Sequence, residues 1–379
     1  MKLRTRTLAW ILSIVMILAI MPVIPVFAAD GDHFDTDAEA GDSYCCRVGE
    51  EGTDTGSKYY TSVSSALTAV KNTTATIYLL KDAPCECLWD KLGADSNWTI
   101  ELNNHTLNFT GDWFGDSDLT AVTFRNGTVN CVRLLRCRTP VTLTFDHVVL
   151  TSTAMFLNLR GNSTINIIAS TITSNGQDCI YVAPLGSTIT FNLTEGSSWI
   201  RNGGVNSYTS ALISTDGATG AGANTLNMNV DGTSTIKLAH TDLATDHYFV
   251  NSDGDKSEIS LNVTLASGAN VVFAAESAGN NLISNMPNTT ITDNGANWKV
   301  LGKTLKNGVT LPDFATLENY VTRWTVNGKT FYGGTKYTDA EAVDGTEYTA
   351  TYAVVEAPIT SYEDAVARGY YVHNATTDT

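Results

Sequence analysis

Over most of its length this chain has a hydrophobic pattern with a period of two. From Ala75 onward, short runs alternate Ile, Leu, Val or Phe with Thr and Asn, as at Thr76–Leu80, Trp98–Leu102, Val141–Phe145, Ser163–Ile167, Ser187–Phe191 and Asn224–Met228. Such alternation puts apolar side chains on one side of a β-strand and short polar ones on the other. Turn pairs punctuate the runs at Asn126-Gly127, Asn175-Gly176, Asn202-Gly203, Asp231-Gly232 and Asp253-Gly254. Strand starts at Val122, Thr142, Thr164 and Thr188 lie 20, 22 and 24 residues apart, and the next, at Thr225, follows after 37. Strands recurring without helices between them predict coils stacked into a solenoid, each too thin to bury a core alone. An antiparallel sandwich is the rival, because Asn-Gly turns also close hairpins.

One segment breaks the pattern. In residues 59–71, Val63, Ala66, Leu67 and Val70 fall at helical spacing behind a Ser/Thr start suited to capping. A short amphipathic helix just before the first strand would cover the open end of a solenoid, which otherwise exposes an unpaired sheet edge. This helix and the serial repeat favour the solenoid over the sandwich.

The run 59–82 and the Thr/Asn-rich coils after it resemble the pectin-lyase-like right-handed parallel β-helix domains of bacterial surface proteins and adhesins. Residues 320–352 carry aromatic-rich strands around Asn327-Gly328, Gly333-Gly334 and Asp344-Gly345. They resemble the small β-grasp-type repeats, of the internalin B-repeat kind, in Gram-positive surface proteins. The expected fold is all-β: a right-handed parallel β-helix with a short N-terminal capping helix, followed by a small β-grasp-like module. The corresponding plan is 1–28 signal peptide, 29–58 acidic N-terminal segment, 59–299 β-helix, 300–356 β-grasp-like module and 357–379 linker or start of a further repeat. Ser361–Gly369 echoes Ser62–Val70, as if a second capped solenoid began there in a longer protein.

The first 28 residues fit a secretory signal: basic Lys2, Arg4 and Arg6, an apolar run from Leu8 to Met21, and a small-residue cleavage site at Val26-Phe27-Ala28. The leader's wording resembles those of Gram-positive surface proteins, which implies a secreted or cell-surface chain. Its apolar run, broken by Pro22 and Pro25, is short for a full span, so no membrane insertion is expected after cleavage, and the acidic exterior suits a monomer. The formal charge of −16 becomes −19 without the three leader cations, which argues against nucleic acid as a partner. Seven cysteines in an exported chain suggest disulfides with one thiol left over. One scheme links Cys45 or Cys46 to Cys85 or Cys87; Cys131, Cys137 and Cys179 could close a turn or stack along a ladder.

Candidate chemistry is sparse. Asn175–Ile180 resembles the Gly-Asp-Asp-Cys-Ile segment of polygalacturonase-type hydrolases, but Gln177 stands where a second acid would be, and Asp178 alone cannot perform both halves of inversion. A lyase would need Arg133, Arg136 or Arg138 to share a groove with Asp146 and Asp178. Asp32, Asp35, Asp37 and Glu39 open like an EF-hand, yet Ala40 and Cys46 occupy the positions of its Gly and its bidentate Glu. The loop around Trp113, Phe114, Asp116 and Asp118 pairs exposed aromatics with carboxylates that could stack on and hydrogen-bond a sugar ring, or hold calcium. No catalytic residue and no resident metal or cofactor is expected, calcium being the one candidate ion. The Thr-X-Thr ranks of an ice-binding array are interrupted along the chain, which sets that function aside. The expected function is non-catalytic adhesion or display towards glycans or host and matrix proteins. A polysaccharide lyase or glycoside hydrolase of the same fold is the alternative, and a structural spacer the third reading.

Overall fold

Strands in the chain are hydrogen-bonded to strands one coil away, in parallel and in register, as expected when each turn borrows its neighbour to complete its sheets. The computed structural model describes residues 30–34, 36–49, 57–86, 95–111, 115–117, 119–137, 139–176, 178–183, 186–202, 210–215, 224–238, 247–252, 259–273, 288–301, 320–326, 329–332, 347–354, 361–367 and 369. The predicted leader lies outside them. Among the described residues no helix is long and apolar enough to cross a membrane.

The fold is a parallel β-solenoid with three faces. The first face contains Thr74–Leu79, Asn97–Glu101, the first halves of Ala121–Cys131 and Val141–Ser152, then Ser163–Ile168, Thr188–Thr194, Asn224–Val230, Ile259–Leu265 and Asn288–Asp293. The second face runs beside it, from Ala83–Glu86 and Thr106–Thr110 to Asn270–Phe273 and Asn297–Leu301. The third is a six-stranded sheet holding Gly115–Ser117, Leu135–Cys137, Leu157–Leu159, Asp178–Val182, Ser210–Thr215 and His247–Ser252. The long step from Thr188 to Thr225 is a single coil, since those two residues are register partners. Two shorter steps need adjusting by one or two residues: Val122 pairs with Leu143, and Thr164 with Thr190. Strand starts vary from coil to coil, so counting from the first Thr misses the register.

The interior consists of columns rather than a single nucleus. Ile77, Ile100, Phe124, Phe145, Ile167 and Leu193 succeed one another in register, and each is buried. Phe124 and Phe145 stack at 5.7 Å and 5°, with Phe109 and Phe156 edge-on at either end. The column begun by Ile77 ends at Asp293, whose carboxylate accepts from Trp298 Nε1 at 2.6 Å and from the Gly295 and Ala296 amides at 2.8 and 2.7 Å. A buried acid there closes the column with its hydrogen bonds satisfied.

The bend between the first and second faces turns on residues with positive φ. Asn126, His147, Ala169 and Glu195 have φ of 55°, 55°, 47° and 59°. Buried serines repair the backbone ladder opened by the bend. Ser170 Oγ accepts from the Val148 amide at 2.8 Å, and Ser197 Oγ accepts from the Ser170 amide at 3.2 Å and donates to the Ile167 carbonyl at 2.8 Å. At the longer bend, the Asp231 carboxylate accepts from the Glu195 amide at 2.7 Å and from the Thr233 amide and hydroxyl at 2.9 Å each.

The helix Val63–Ala69 covers the N-terminal end. Ser62 Oγ caps it by accepting from the Ser65 amide, Val63, Ala66 and Leu67 are buried, and Trp98 Nε1 donates to the Val70 carbonyl at 3.1 Å. Part of the acidic segment is more ordered than its composition suggests. Cys46–Val48 pairs antiparallel with both Lys58–Tyr60 and Thr74–Leu79, sealing the sheet edge. Phe34, Tyr44 and Tyr59 pack edge-on beside it, a contact that spacing along the sequence does not reveal. At the other end Asn297–Leu301 pairs antiparallel with Glu347–Val354, which pairs with Tyr320–Val326 and through it with Lys329–Tyr332. The last two strands flank the predicted Asn327-Gly328 turn. Helix Tyr362–Ala367 follows, Ser361 Oγ accepting from the Asp364 amide as Ser62 does for Ser65.

Two predictions follow from the bends. A Cβ on Gly127 would sit 2.5 Å from Leu102 Cβ and 2.6 Å from the His105 carbonyl oxygen of the adjacent coil. Gly127→Ala should therefore destabilise the chain by about 1–3 kcal/mol in denaturant unfolding, and an unchanged midpoint would contradict this packing. At Asp231, burial works to raise the carboxyl pKa. The nearby Ser234 hydroxyl and hydrogen bonds from Thr233 and Glu195 outweigh it and hold the pKa below the ordinary 3.8. A depressed folded pKa contributes stability that is present above the unfolded value and lost as pH falls through the folded one. Asp231→Ala should thus cost stability at about pH 7 and progressively less towards about pH 2, as read from paired unfolding curves.

Candidate functional site: a flat Thr/Asn face

The first face presents two adjacent rows of short polar side chains to solvent. One row is Thr76, Thr99, Thr123, Thr144, Asn166, Asn192, Asn229, Thr264 and Thr292, aligned by strand register. The other, two residues earlier on each strand, is Thr74, Asn97, Ala121, Thr142, Thr164, Thr190, Asn227, Asn262 and Thr290. All of these are exposed or half-buried. Neighbouring rungs of a parallel sheet lie about 4.8 Å apart, and alternate residues on one strand about 6.6 Å apart. The surface is thus a lattice of hydroxyls and amides without a formal charge.

Asparagines cross-link the middle of the lattice. Asn229 Nδ2 donates to Asn192 Oδ1 at 2.9 Å, Asn192 Nδ2 to Asn166 Oδ1 at 2.9 Å, and Asn166 Nδ2 to Thr144 Oγ1 at 3.4 Å. In the second row Asn262 Nδ2 donates to Asn227 Oδ1 at 3.0 Å and Asn227 Nδ2 to Thr190 Oγ1 at 3.4 Å. The ladders fix the rotamers of the amides at the surface. Hydroxyl-only ranks remain at Thr74/Thr76, Thr142/Thr144 and Thr290/Thr292.

Charge collects at the edge of the face, towards the bend. Arg125 lies between Glu101, at 3.9 Å, and Asp146, at 3.5 Å, and Asn126 Nδ2 donates to the Glu101 carboxylate at 3.0 and 3.1 Å. His147 Nδ1 is 2.7 Å from Asp146 Oδ1 on the bend. Arg47, from the capping strand, stacks 4.1 Å from the Tyr78 ring centroid at the N-terminal end of the same row. Beyond this edge a pocket of about 350 Å³ opens between the cap and the first coils, lined in part by Asp37, Asp42, Tyr44, Lys81, Asn103 and His105.

Asp116 belongs to a third-face strand, in register with Arg136, whereas Trp113, Phe114 and Asp118 lie outside the described residues. Among the described residues the lyase-type grouping is divided between the third face and the bend. Arg136 sits on the third face and Asp146 on the bend with Arg125; Asp178 opens a third-face strand two coils beyond Arg136, and Arg138 lies outside the described residues. Cys179 and Ile180, after Asp178, are buried in the interior. Two acids of the EF-hand-like cluster bond within the cap, and Asp35 lies outside the described residues. Asp37 Oδ1 accepts from Tyr59 Oη at 2.9 Å and pairs with Arg47 at 2.9 Å, and Asp32 accepts from Tyr44 Oη. Among the described residues no group of three or more His, Cys, Asp or Glu is placed to hold a metal.

Comparison with known proteins adds no assignment: no family model, curated protein or solved structure matches the chain. The class that the fold defines is therefore the parallel β-solenoid.

The Asn ladder makes a prediction of its own. Asn192→Ala removes both 2.9 Å bonds at once, to Asn166 and to Asn229. It should lower stability by about 1–2 kcal/mol, measurable by chemical denaturation; an effect below a few tenths would mean that water replaces the ladder without cost.

Proposed function

We propose that this chain is a non-catalytic adhesion or display protein whose first face binds neutral, polyhydroxylated glycans. The observation that carries the reading is the paired Thr/Asn lattice, which is uncharged on a chain of net charge −16. Hydroxyls and amides each donate and accept, so they suit the hydroxyls of a neutral sugar chain, and carboxylates kept off the face spare such a ligand from losing water around fixed charge. Many equivalent rungs supply affinity by repetition, through weak contacts made along one polymer. Export to the cell surface by the leader, a pectin-lyase-like ancestry and a β-grasp-like spacer at 300–356 belong to the same proposal. They rest on the sequence resemblance.

Binding of the exported chain to insoluble neutral polysaccharides, with parallel assay for released reducing or unsaturated sugars, tests the reading. Binding without release is expected, and Thr142→Glu with Asn262→Glu should weaken it at least about tenfold by cutting hydrogen bonds and placing charge on the lattice. Lys237→Ala, on the second face, should leave it unchanged. Sugar release would replace the proposal with a lyase or hydrolase. Binding insensitive to the face variants would move the site to another surface, with the Trp113 loop the first to test.

A further inference from the structure

Three thiols from two separate parts of the sequence lie beneath the capping helix. Cys45 and Cys46 lie at the start of the capping strand, Cys85 lies in the first coil, and relative exposures of 5%, 0% and 0% place all three in the interior. Cys45 Sγ is 3.8 Å from Cys46 Sγ. Cys46 Sγ and Cys85 Sγ both contact the start of the same helix: Cys46 reaches the Ser62 carbonyl at 3.7 Å and Cys85 the Ser64 hydroxyl at 3.7 Å. We propose that Cys45, Cys46 and Cys85 form one thiol–disulfide site, in which a Cys46–Cys85 bridge locks the cap onto the first coil and Cys45 is the adjoining exchange thiol.

The placement explains why the cap needs a lock. Cys46 pairs in register with both Tyr60 and Leu79, so it joins the capping hairpin to the edge of the first face. Cys85 projects inward from the neighbouring second face. A bridge between them ties the capping strand, the helix and both faces of the first coil into one loop, at the end where a solenoid has no further coil to hold it.

The chemistry balances with a low-molecular-weight disulfide as oxidant. Attack by one protein thiolate forms a mixed disulfide and releases one small thiol. The second protein thiolate then displaces the other, so two protein thiols become a disulfide and one small-molecule disulfide becomes two thiols. Cys45 gives the bridge a second reaction that needs no outside oxidant. Its thiolate can attack the Cys46 sulfur, forming Cys45–Cys46 and releasing Cys85 as thiolate, with the number of disulfides unchanged. The 3.8 Å contact between Cys45 Sγ and Cys46 Sγ puts the exchange thiol beside the sulfur that it would attack.

The full chain, exported to an oxidising compartment, alkylated at acid pH and digested without reduction, tests the proposal by peptide mass spectrometry. A crosslinked peptide joining the Cys45-Cys46 segment to Cys85, retained in Cys45→Ser and lost in Cys46→Ser and in Cys85→Ser, is the expected result. Reduction should lower the unfolding midpoint of the wild type by about 5–10 °C, and should leave the Cys85→Ser midpoint unchanged. Three alkylated thiols, a Cys45–Cys46 disulfide as the sole product, or a bridge to Cys87 would each overturn it. Because the wild type carries the decisive measurement, a variant that fails to fold leaves the test intact.

Discussion

The structure depends on one constraint: a single coil is too thin to bury its own apolar side chains. Each coil becomes stable only when the next lies on it in parallel register, so that Phe124 covers Ile100 and is covered by Phe145. The interior is therefore nearly one-dimensional, and its weak points are its ends. At one end the helix Val63–Ala69 and an antiparallel strand take the place of the missing coil; at the other, Asp293 closes the column with its own hydrogen bonds before an antiparallel strand covers the sheet. Both solutions reverse strand direction, which ends the repeat and keeps another chain from continuing it.

The same constraint explains the bends. Four successive coils turn where a residue enters the left-handed region, at Asn126, His147, Ala169 and Glu195, and such a turn opens a gap in the ladder of backbone hydrogen bonds. Ser170 and Ser197 fill successive gaps from inside, each bonded to backbone in the preceding coil, and Asp231 does so from outside at the longer bend. Ala169 and Glu195 are poor residues for positive φ. They hold it because the coils on either side and the serine beneath determine the backbone there. Local preference yields to the stack.

This sets how far the sequence could be read. Alternation within each strand is a local signal, so the strands, the solenoid and the helix from Val63 were legible from spacing alone. Register is a relation between strands, and it was missed by one or two residues where strand starts shift, as between Val122 and Thr142 and between Thr164 and Thr188, although across the long step Thr188 and Thr225 are partners. The bend serines left a trace that the strand pattern hid: Ser170 and Ser197 each stand directly before a strand start, at Thr171 and Ser198. The Thr/Asn face was the least legible. An aromatic next to carboxylates is conspicuous in one dimension, while the Thr/Asn lattice exists only after residues many positions apart are brought side by side.

That lattice has a structural cause as well as a proposed use, and the two make different demands. Like charges stacked at about 4.8 Å would repel along the whole face, so any parallel solenoid favours neutral residues that pair with themselves, as Asn192 does with Asn166 and Asn229. Self-pairing alone, however, would be served by unbroken asparagine. Here threonine occupies much of both rows and sits next to the amide ladders, leaving hydroxyls that the ladder does not use throughout. Within the ladder each amide spends one N–H along the solenoid axis and keeps a second N–H and further acceptor capacity for solvent. A ligand on this face would therefore add hydrogen bonds without breaking those that hold the rungs. Stability and binding can then be separated by position: loss of a laddered amide tests the first, and charge placed at exposed Thr142 tests the second.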